Sequence, residues 1–131
     1  MMRKKALVVD DNPDVRLFSV AVLEKNGYTP LVAEDGESGL KMIKAEKPDL
    51  VILDVLMPRQ SGVRLYRELK TARSLKDIKV IVLGEIAKKA FLQSQKALTE
   101  LGDAEVPEPD IYLEKPVEPE ELAEAIKKVR G

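Results

Sequence analysis

The chain reads as an α/β protein built on a doubly wound, five-stranded parallel sheet with helices on both faces. Three observations lead there. Short apolar runs rich in β-branched residues, Ala6-Leu7-Val8-Val9, Leu50-Val51-Ile52-Leu53 and Ile111-Tyr112-Leu113, have the length and composition of strands buried on both faces. Such runs alternate with helical stretches along the whole chain, five of each, which is the pattern of a parallel sheet covered by helices. Finally, these runs end in charge: Asp10-Asp11, Asp54 and Glu114-Lys115-Pro116. In open parallel sheets ligands bind beyond the carboxyl ends of the strands. Asp10, Asp11, Asp54 and Lys115 therefore converge at one edge. Carboxylates are hard oxygen ligands suited to Mg²⁺ and a lone lysine suits phosphate, so the pattern points to acidic, metal-dependent phosphate chemistry.

Each element has its own signal. After Asp10-Asp11, Asn12-Pro13 starts a helix, because Asn caps free N–H groups and Pro fits the first helical position. Val15, Phe18 and Val22 follow at helical spacing, and Asn26-Gly27 ends the helix. Tyr28 to Ala33 is the second strand; Glu34-Asp35-Gly36 turns into a helix carrying Leu40 and Ile43, stopped by Pro48. The strand Leu50 to Leu53 leads through Asp54 into the loop Val55 to Gly62 and a third helix with Leu65 and Leu69 on one face. Met57-Pro58 reads as a loop-shaping pair, and Thr71 to Lys76 as a polar connector. Lys79 to Leu83 is the fourth strand, closed by Gly84. Lys88 to Leu101 is the fourth helix, with Phe91, Leu98 and Leu101 expected inward and Lys88-Lys89 on a solvated face. A loop rich in Pro and acid, Gly102 to Asp110, precedes the last strand, and the last helix starts near Pro119 and carries Leu122, Ile126 and Val129.

The 131 residues fit one domain, 1–131, with no segment left over for a second. A 44% hydrophobic content supports one core at this length. The net charge of −1, with basic and acidic residues interspersed, gives no electrostatic case for direct nucleic-acid binding. There is no Cys and no His, so disulfides, thiolate metal sites and imidazole catalysis are excluded. No run approaches the ~18 apolar residues of a membrane span, and the apolar stretch after Lys4-Lys5 is too short for a signal peptide; a cytoplasmic protein that does not engage a membrane is expected.

Taken jointly, Val8-Val9-Asp10-Asp11-Asn12, then Leu50-Val51-Ile52-Leu53-Asp54-Val55-Leu56-Met57-Pro58 with Gly62 in place, then Tyr112-Leu113-Glu114-Lys115-Pro116, resemble a bacterial response-regulator receiver domain of the CheY-like kind over essentially the whole chain. The resemblance implies the flavodoxin/CheY-like strand order 2-1-3-4-5. It makes Asp54 the phosphoacceptor and Asp10, Asp11 and Asp54 the Mg²⁺ carboxylates, with the backbone carbonyl of Leu56 as a further metal ligand. Lys115 contacts the phosphoryl oxygens, the Glu85 backbone N–H is a further donor, and Tyr112 occupies the aromatic switch position. Pro58, Gly62 and Pro116 are structural, the peptide bond before Pro116 being usually cis in this family.

Elementary physics agrees with these roles. Carboxylates ~4 Å apart repel by several kcal/mol at an effective dielectric of 20, which a divalent cation relieves. An ionised Asp can attack phosphorus directly, while Mg²⁺ and a lysine neutralise the transferring oxygens.

Two departures stand out. Where the family has Ser or Thr after the fourth strand, whose hydroxyl bonds the phosphoryl group, this chain has Gly84, followed by Glu85 where a small residue is usual. A hydrogen bond to a charged group is worth ~1.5–3 kcal/mol, so its loss would weaken phosphorylation-driven switching by roughly ten- to a hundredfold. It also removes the partner that draws the switch aromatic, Tyr112, inward. The second departure is the lengthened 102–110 loop, expected beside the face formed by the fourth helix, fifth strand and fifth helix.

The function the resemblance implies is two-component signal transduction: a phosphoryl group passes to Asp54 from a histidine kinase or phosphotransfer protein, with Mg²⁺ as cofactor. A downstream protein, or a second copy of the chain in a homodimer, is then read through the fourth-helix, fifth-strand and fifth-helix face. Such a protein is not an enzyme beyond assisting its own phosphorylation and dephosphorylation. The alternative is a phosphorylation-independent interaction domain on the same fold, with its switch altered at Gly84 and Glu85.

Overall fold

The structure is a computed structural model that describes residues 3–57 and 61–130, the side chain of Ser61 excepted. Pro58, expected to shape the loop after the third strand, lies outside the described residues. Strands and helices alternate as β1 (Lys4–Val9), α1 (Pro13–Lys25), β2 (Tyr28–Ala33), α2 (Gly36–Glu46), β3 (Leu50–Asp54), α3 (Ser61–Thr71), β4 (Lys79–Gly84), α4 (Lys88–Glu100), β5 (Ile111–Glu114) and α5 (Pro119–Arg130). The five strands are all parallel in the order β2-β1-β3-β4-β5, as expected. Among the described residues no helix is long and apolar enough to cross a membrane.

Local chemistry sets the element ends. The Asn12 side chain accepts from the N–H groups of Asp14 and Val15, with Pro13 at the first helical position of α1. Asp35 caps α2 by accepting from the Ser38 N–H. Past α2 the chain turns through Lys47 in the left-handed region (φ 45°), and its N–H donates to the Ile43 carbonyl.

The sheet divides the core in two, because successive strand residues point to opposite faces. Leu7, Val9, Val51, Leu53, Val80 and Val82 join Ile43 of α2, Leu65, Tyr66 and Leu69 of α3, and Phe91 of α4 on one side. Ala6, Val8, Leu50, Ile52, Ile81 and Leu83 join Val22 and Leu23 of α1 and Leu122, Ala125 and Ile126 of α5 on the other. β3, between both layers, is buried at every position including Asp54.

Several sequence expectations need correcting. Leu101 is 83% exposed. It follows the last turn of α4, about 80° of helical rotation off the Phe91 line, and the buried partner of Phe91 on that helix is instead Gln95. The 71–76 connector is not wholly polar in role, since Leu75 is 3% exposed and belongs to the core. The 102–110 loop is anchored toward the α3 side of α4. Arg67 of α3 donates to the Ala104 carbonyl and faces Asp103, and the Tyr66 hydroxyl donates to the Pro107 carbonyl. Lys88 and Lys89 are exposed, as expected, and Lys88 pairs with Glu108 at 3.3 Å. Asp110 closes this strap by accepting from the Val80 N–H at 2.8 Å.

Candidate functional site

Two buried carboxylates lie side by side because β1 and β3 are adjacent and in register, Val9 opposite Leu53, so that Asp10 and Asp54 leave the sheet at neighbouring points. Asp10 is 1% exposed and Asp54 2% exposed. Exposed Asp11 completes a set in which each residue offers one carboxylate oxygen and all three oxygens lie within 4.8 Å of one another. The backbone aims the inner pair: Asp10 Oδ1 accepts from the Asn12 N–H at 2.9 Å, and Asp54 Oδ1 accepts from the Leu56 N–H at 2.9 Å. Arg16, which sequence reasoning passes over, donates to the Asp10 carbonyl at 2.8 Å and steadies the turn.

Lys115 reaches this pair from the opposite side of the site. Its N–H donates to the Gly84 carbonyl at 2.8 Å, which ties it to the end of β4. Its Nζ lies 3.3 Å from Asp10 Oδ2 and 3.4 Å from Asp54 Oδ2. The Lys115-Pro116 peptide bond is cis. Burial pushes the Asp10 carboxyl above its ordinary 3.8; the Asn12 N–H opposes this, Asp54 adds to it, and Lys115 opposes it again. Burial alone would lower the Lys115 ammonium, but Asp10 and Asp54 together outweigh it and hold it above its ordinary 10.5. Three carboxylates against one ammonium leave a local excess of negative charge, and the donor set of hard oxygens suits a divalent cation of the Mg²⁺ kind.

The other sequence-selected residues surround this centre. Leu56 is 44% exposed, its N–H committed to Asp54. Glu85 is exposed at the end of β4. Gly62 packs so closely under β3 that a β-carbon there would stand 2.2 Å from the Asp54 carbonyl oxygen and 2.7 Å from Val55 Cα. Tyr112 points inward over Gly84 and donates to the Ile86 carbonyl at 2.6 Å, although no side chain at position 84 draws it there. Its ring lies 5.3 Å from that of Phe91, a contact that sequence reasoning also misses.

Residues 6–127 match the response regulator receiver domain family. The chain belongs to that family. Among curated relatives it is 34% identical over 128 residues to the alkaline phosphatase synthesis transcriptional regulatory protein PhoP of Bacillus subtilis, and 33% identical to the phosphate regulon transcriptional regulatory protein PhoB of Escherichia coli. Both matches take in 98% of this chain, which spans only about half the length of those relatives, 49% and 52%. It is also 30% identical to sporulation initiation phosphotransferase F of Bacillus subtilis, covering 98% of this chain and 94% of that one. Of solved structures, the chemotaxis response regulator CheY4 of Vibrio cholerae superposes with a TM-score of 0.80 at 26% identity, covering 98% and 99% of the two chains. A response regulator from Thermotoga maritima superposes at 0.76 with 26% identity and 98% of each chain covered. Receiver domains are the signalling phosphoacceptors of two-component systems rather than enzymes in the ordinary sense, and the family binds Mg²⁺ in an acidic pocket.

Proposed function

We propose that residues 1–131 act as one receiver unit that accepts a phosphoryl group on Asp54 from a histidine kinase or phosphotransfer protein. The observation that carries this reading is the seating of Lys115 Nζ within 3.4 Å of both buried carboxylates, beside a third. Asp10, Asp11, Asp54 and the Leu56 carbonyl would hold Mg²⁺. When bound, that ion supplies neutralisation of the phosphoryl oxygens and relief of carboxylate repulsion.

The chain's own groups do the rest. The Leu56 N–H and the sheet fix the Asp54 carboxylate, so that one oxygen is presented to phosphorus without loss of orientation during attack. The new O–P bond forms as the donor's N–P bond breaks, and the imidazole of the donor leaves with the electron pair and takes up a proton. The Lys115 ammonium, freed from Asp54 as that carboxylate becomes an acyl phosphate, turns to the phosphoryl oxygens, helped by the Glu85 N–H.

Incubation with Mg²⁺ and acetyl phosphate, followed by intact mass measurement, tests this. Wild type should gain one phosphoryl mass and Asp54→Asn should not. An unchanged wild-type mass, or equal uptake by the variant, would overturn it.

A second reading, an interaction domain that works without phosphorylation, is favoured by one observation: β4 ends at Gly84, which carries no hydroxyl to read the phosphoryl group. It predicts partner binding unaltered by phosphorylation. In either reading the partner, a downstream protein or a second copy, meets the α4, β5 and α5 face. The absence of a membrane-binding or basic nucleic-acid surface, and a cytoplasmic setting, belong to the same proposal.

A further inference from the structure

The space above Gly84 is filled by a side chain from the neighbouring strand. A β-carbon built on Gly84 would stand 1.9 Å from Tyr112 Oη, 2.6 Å from its Cζ and 3.3 Å from Cε1. Real atoms do not keep the first two separations, so any side chain at position 84 would force the Tyr112 ring out of the seat it occupies here.

Once inward, the ring is held at several points. Its hydroxyl donates to the Ile86 carbonyl at 2.6 Å. Its ring lies tilted by 39° against Phe91 at 5.3 Å, and Phe91 meets Tyr66 edge to face at 5.7 Å and 74°. Tyr66 and Phe91 are 0% and 1% exposed, so neither ring has room to yield. The Tyr66 hydroxyl donates to the Pro107 carbonyl. The line of rings thus runs from the end of β4, past α4, to the 102–110 strap. The strap is held separately by Arg67 and by the Lys88–Glu108 and Lys70–Asp110 pairs at 3.3 and 3.8 Å.

We propose that Gly84 is the positioning residue of this assembly: it seats Tyr112 inward permanently, so that α4 and the 102–110 strap present one fixed surface whether or not Asp54 carries a phosphoryl group. This rests on the reading of Asp54 as acceptor.

The argument is one of differential contact. A ligand moves a conformational equilibrium only as far as it binds one state better than the other. Turning Tyr112 outward would give up the bond to Ile86 and the contact with Phe91, and would leave a void over Gly84 that nothing on that residue fills. A phosphoryl group on Asp54 meets only backbone at position 84, with no hydroxyl to hold in one state and release in the other. The aromatic line is therefore a brace, and the phosphorylated and unphosphorylated forms share it.

Tyrosine rings labelled with carbon-13 report this directly, because the chain has only three tyrosines, Tyr28, Tyr66 and Tyr112. The probe is beryllofluoride with Mg²⁺, a non-covalent phosphoryl analogue, with amide resonances recorded in the same samples. In wild type the amides of Asp54, Leu56, Glu85 and Lys115 should shift, while the Tyr112 ring and the amides of α4 and 103–108 stay in place. Gly84→Ala should displace the Tyr112 ring resonance before any probe is added, without creating a response to it. Gly84→Ser should displace the ring and make it respond, since a hydroxyl then exists to contact the analogue.

A wild-type Tyr112 ring or strap that shifts with the probe would overturn the proposal, as would a Gly84→Ala ring resonance identical to wild type. If even the site amides fail to shift, the acceptor reading is what has failed, and the ligand-free comparison of wild type with Gly84→Ala still decides the seat. Should the Gly84 variants not fold, the wild-type response to the probe decides alone.

Discussion

The carboxyl edge of the sheet is made of different materials on its two sides. At β1 and β3 it is charge: Asp10 and Asp54, both buried, are held by backbone N–H groups and leave room for little movement. At β4 and β5 it is aromatic carbon: Tyr112 lies over Gly84 and continues into Phe91 and Tyr66. Lys115 spans the two, bonded to the Gly84 carbonyl through its backbone and to both carboxylates through its side chain. On the proposed reading, binding chemistry and its readout would occupy separable parts of one edge, so that one part can depart from the family pattern while the other keeps it.

Each side contains a glycine with no room for a β-carbon, and the pair gives the largest expected effect. At Gly62 the obstruction is backbone, the Asp54 carbonyl and Val55, which cannot swing aside. Gly62→Ala should cost about 4 kcal/mol or prevent folding, by denaturant titration. At Gly84 the obstruction is the far end of a side chain, so Gly84→Ala should cost only about 1–2 kcal/mol as Tyr112 moves out. Equal costs at the two positions would mean that the Tyr112 ring is as immovable as backbone.

Next comes Lys115. Lys115→Met leaves Asp10 and Asp54 facing each other unneutralised, and should destabilise the protein by about 3 kcal/mol in chelator. Mg²⁺ should restore much of that loss, seen as a larger rise in Tm on adding the ion than wild type shows. Asp10→Asn tests the same balance from the other side. Its burial already disfavours the charged form, so stability in chelator should hold or rise while Mg²⁺ affinity falls by about tenfold or more, measurable by calorimetry.

Smaller effects probe the aromatic side. Tyr66→Phe keeps the ring and removes the bond to Pro107, with an expected cost of about 1 kcal/mol and faster proteolysis within the strap. Burial holds the hydroxyls of Tyr28, Tyr66 and Tyr112 above their ordinary 10.0. The folded chain therefore keeps protons that the unfolded chain loses near pH 10, so these three hydroxyls leave stability unchanged below that pH and lower it as pH rises past it. Tyrosinate absorbance should accordingly appear together with loss of far-ultraviolet helix signal. A titration near pH 10 with the fold intact would contradict the burial of these rings.

The alternation of strands and helices, the start of α1 and the convergence of the acidic trio with Lys115 are legible in the residues, while the strand order follows from the family resemblance. The first three follow from periodicity, from the Asn12 cap and from charges placed just past apolar runs. What the sequence hides is direction. Gly84 reads as the loss of a hydroxyl and suggests that Tyr112 has nothing to draw it inward; the structure shows that the glycine itself makes the room. Leu101 reads as core because it is apolar and near the helical repeat, yet the helix ends one residue earlier and Gly102 turns the chain away at φ +106°. The strap is visible as extra length, but its partners Tyr66 and Arg67 lie some forty positions earlier, and nothing local to residues 102–110 names them.

The ion pair between Lys115 and Asp10 joins residues 105 positions apart. Contacts between such distant parts of a chain form late, because closing the loop costs entropy before the contact repays it. The site is therefore assembled from the first strand and the end of the last, and a growing chain that has reached Asp54 already carries Asp10 and Asp11 but still lacks Lys115. On the proposed reading, competence to take a phosphoryl group should appear only when the whole sheet has closed, and labelling of Asp54 would then measure completed folding.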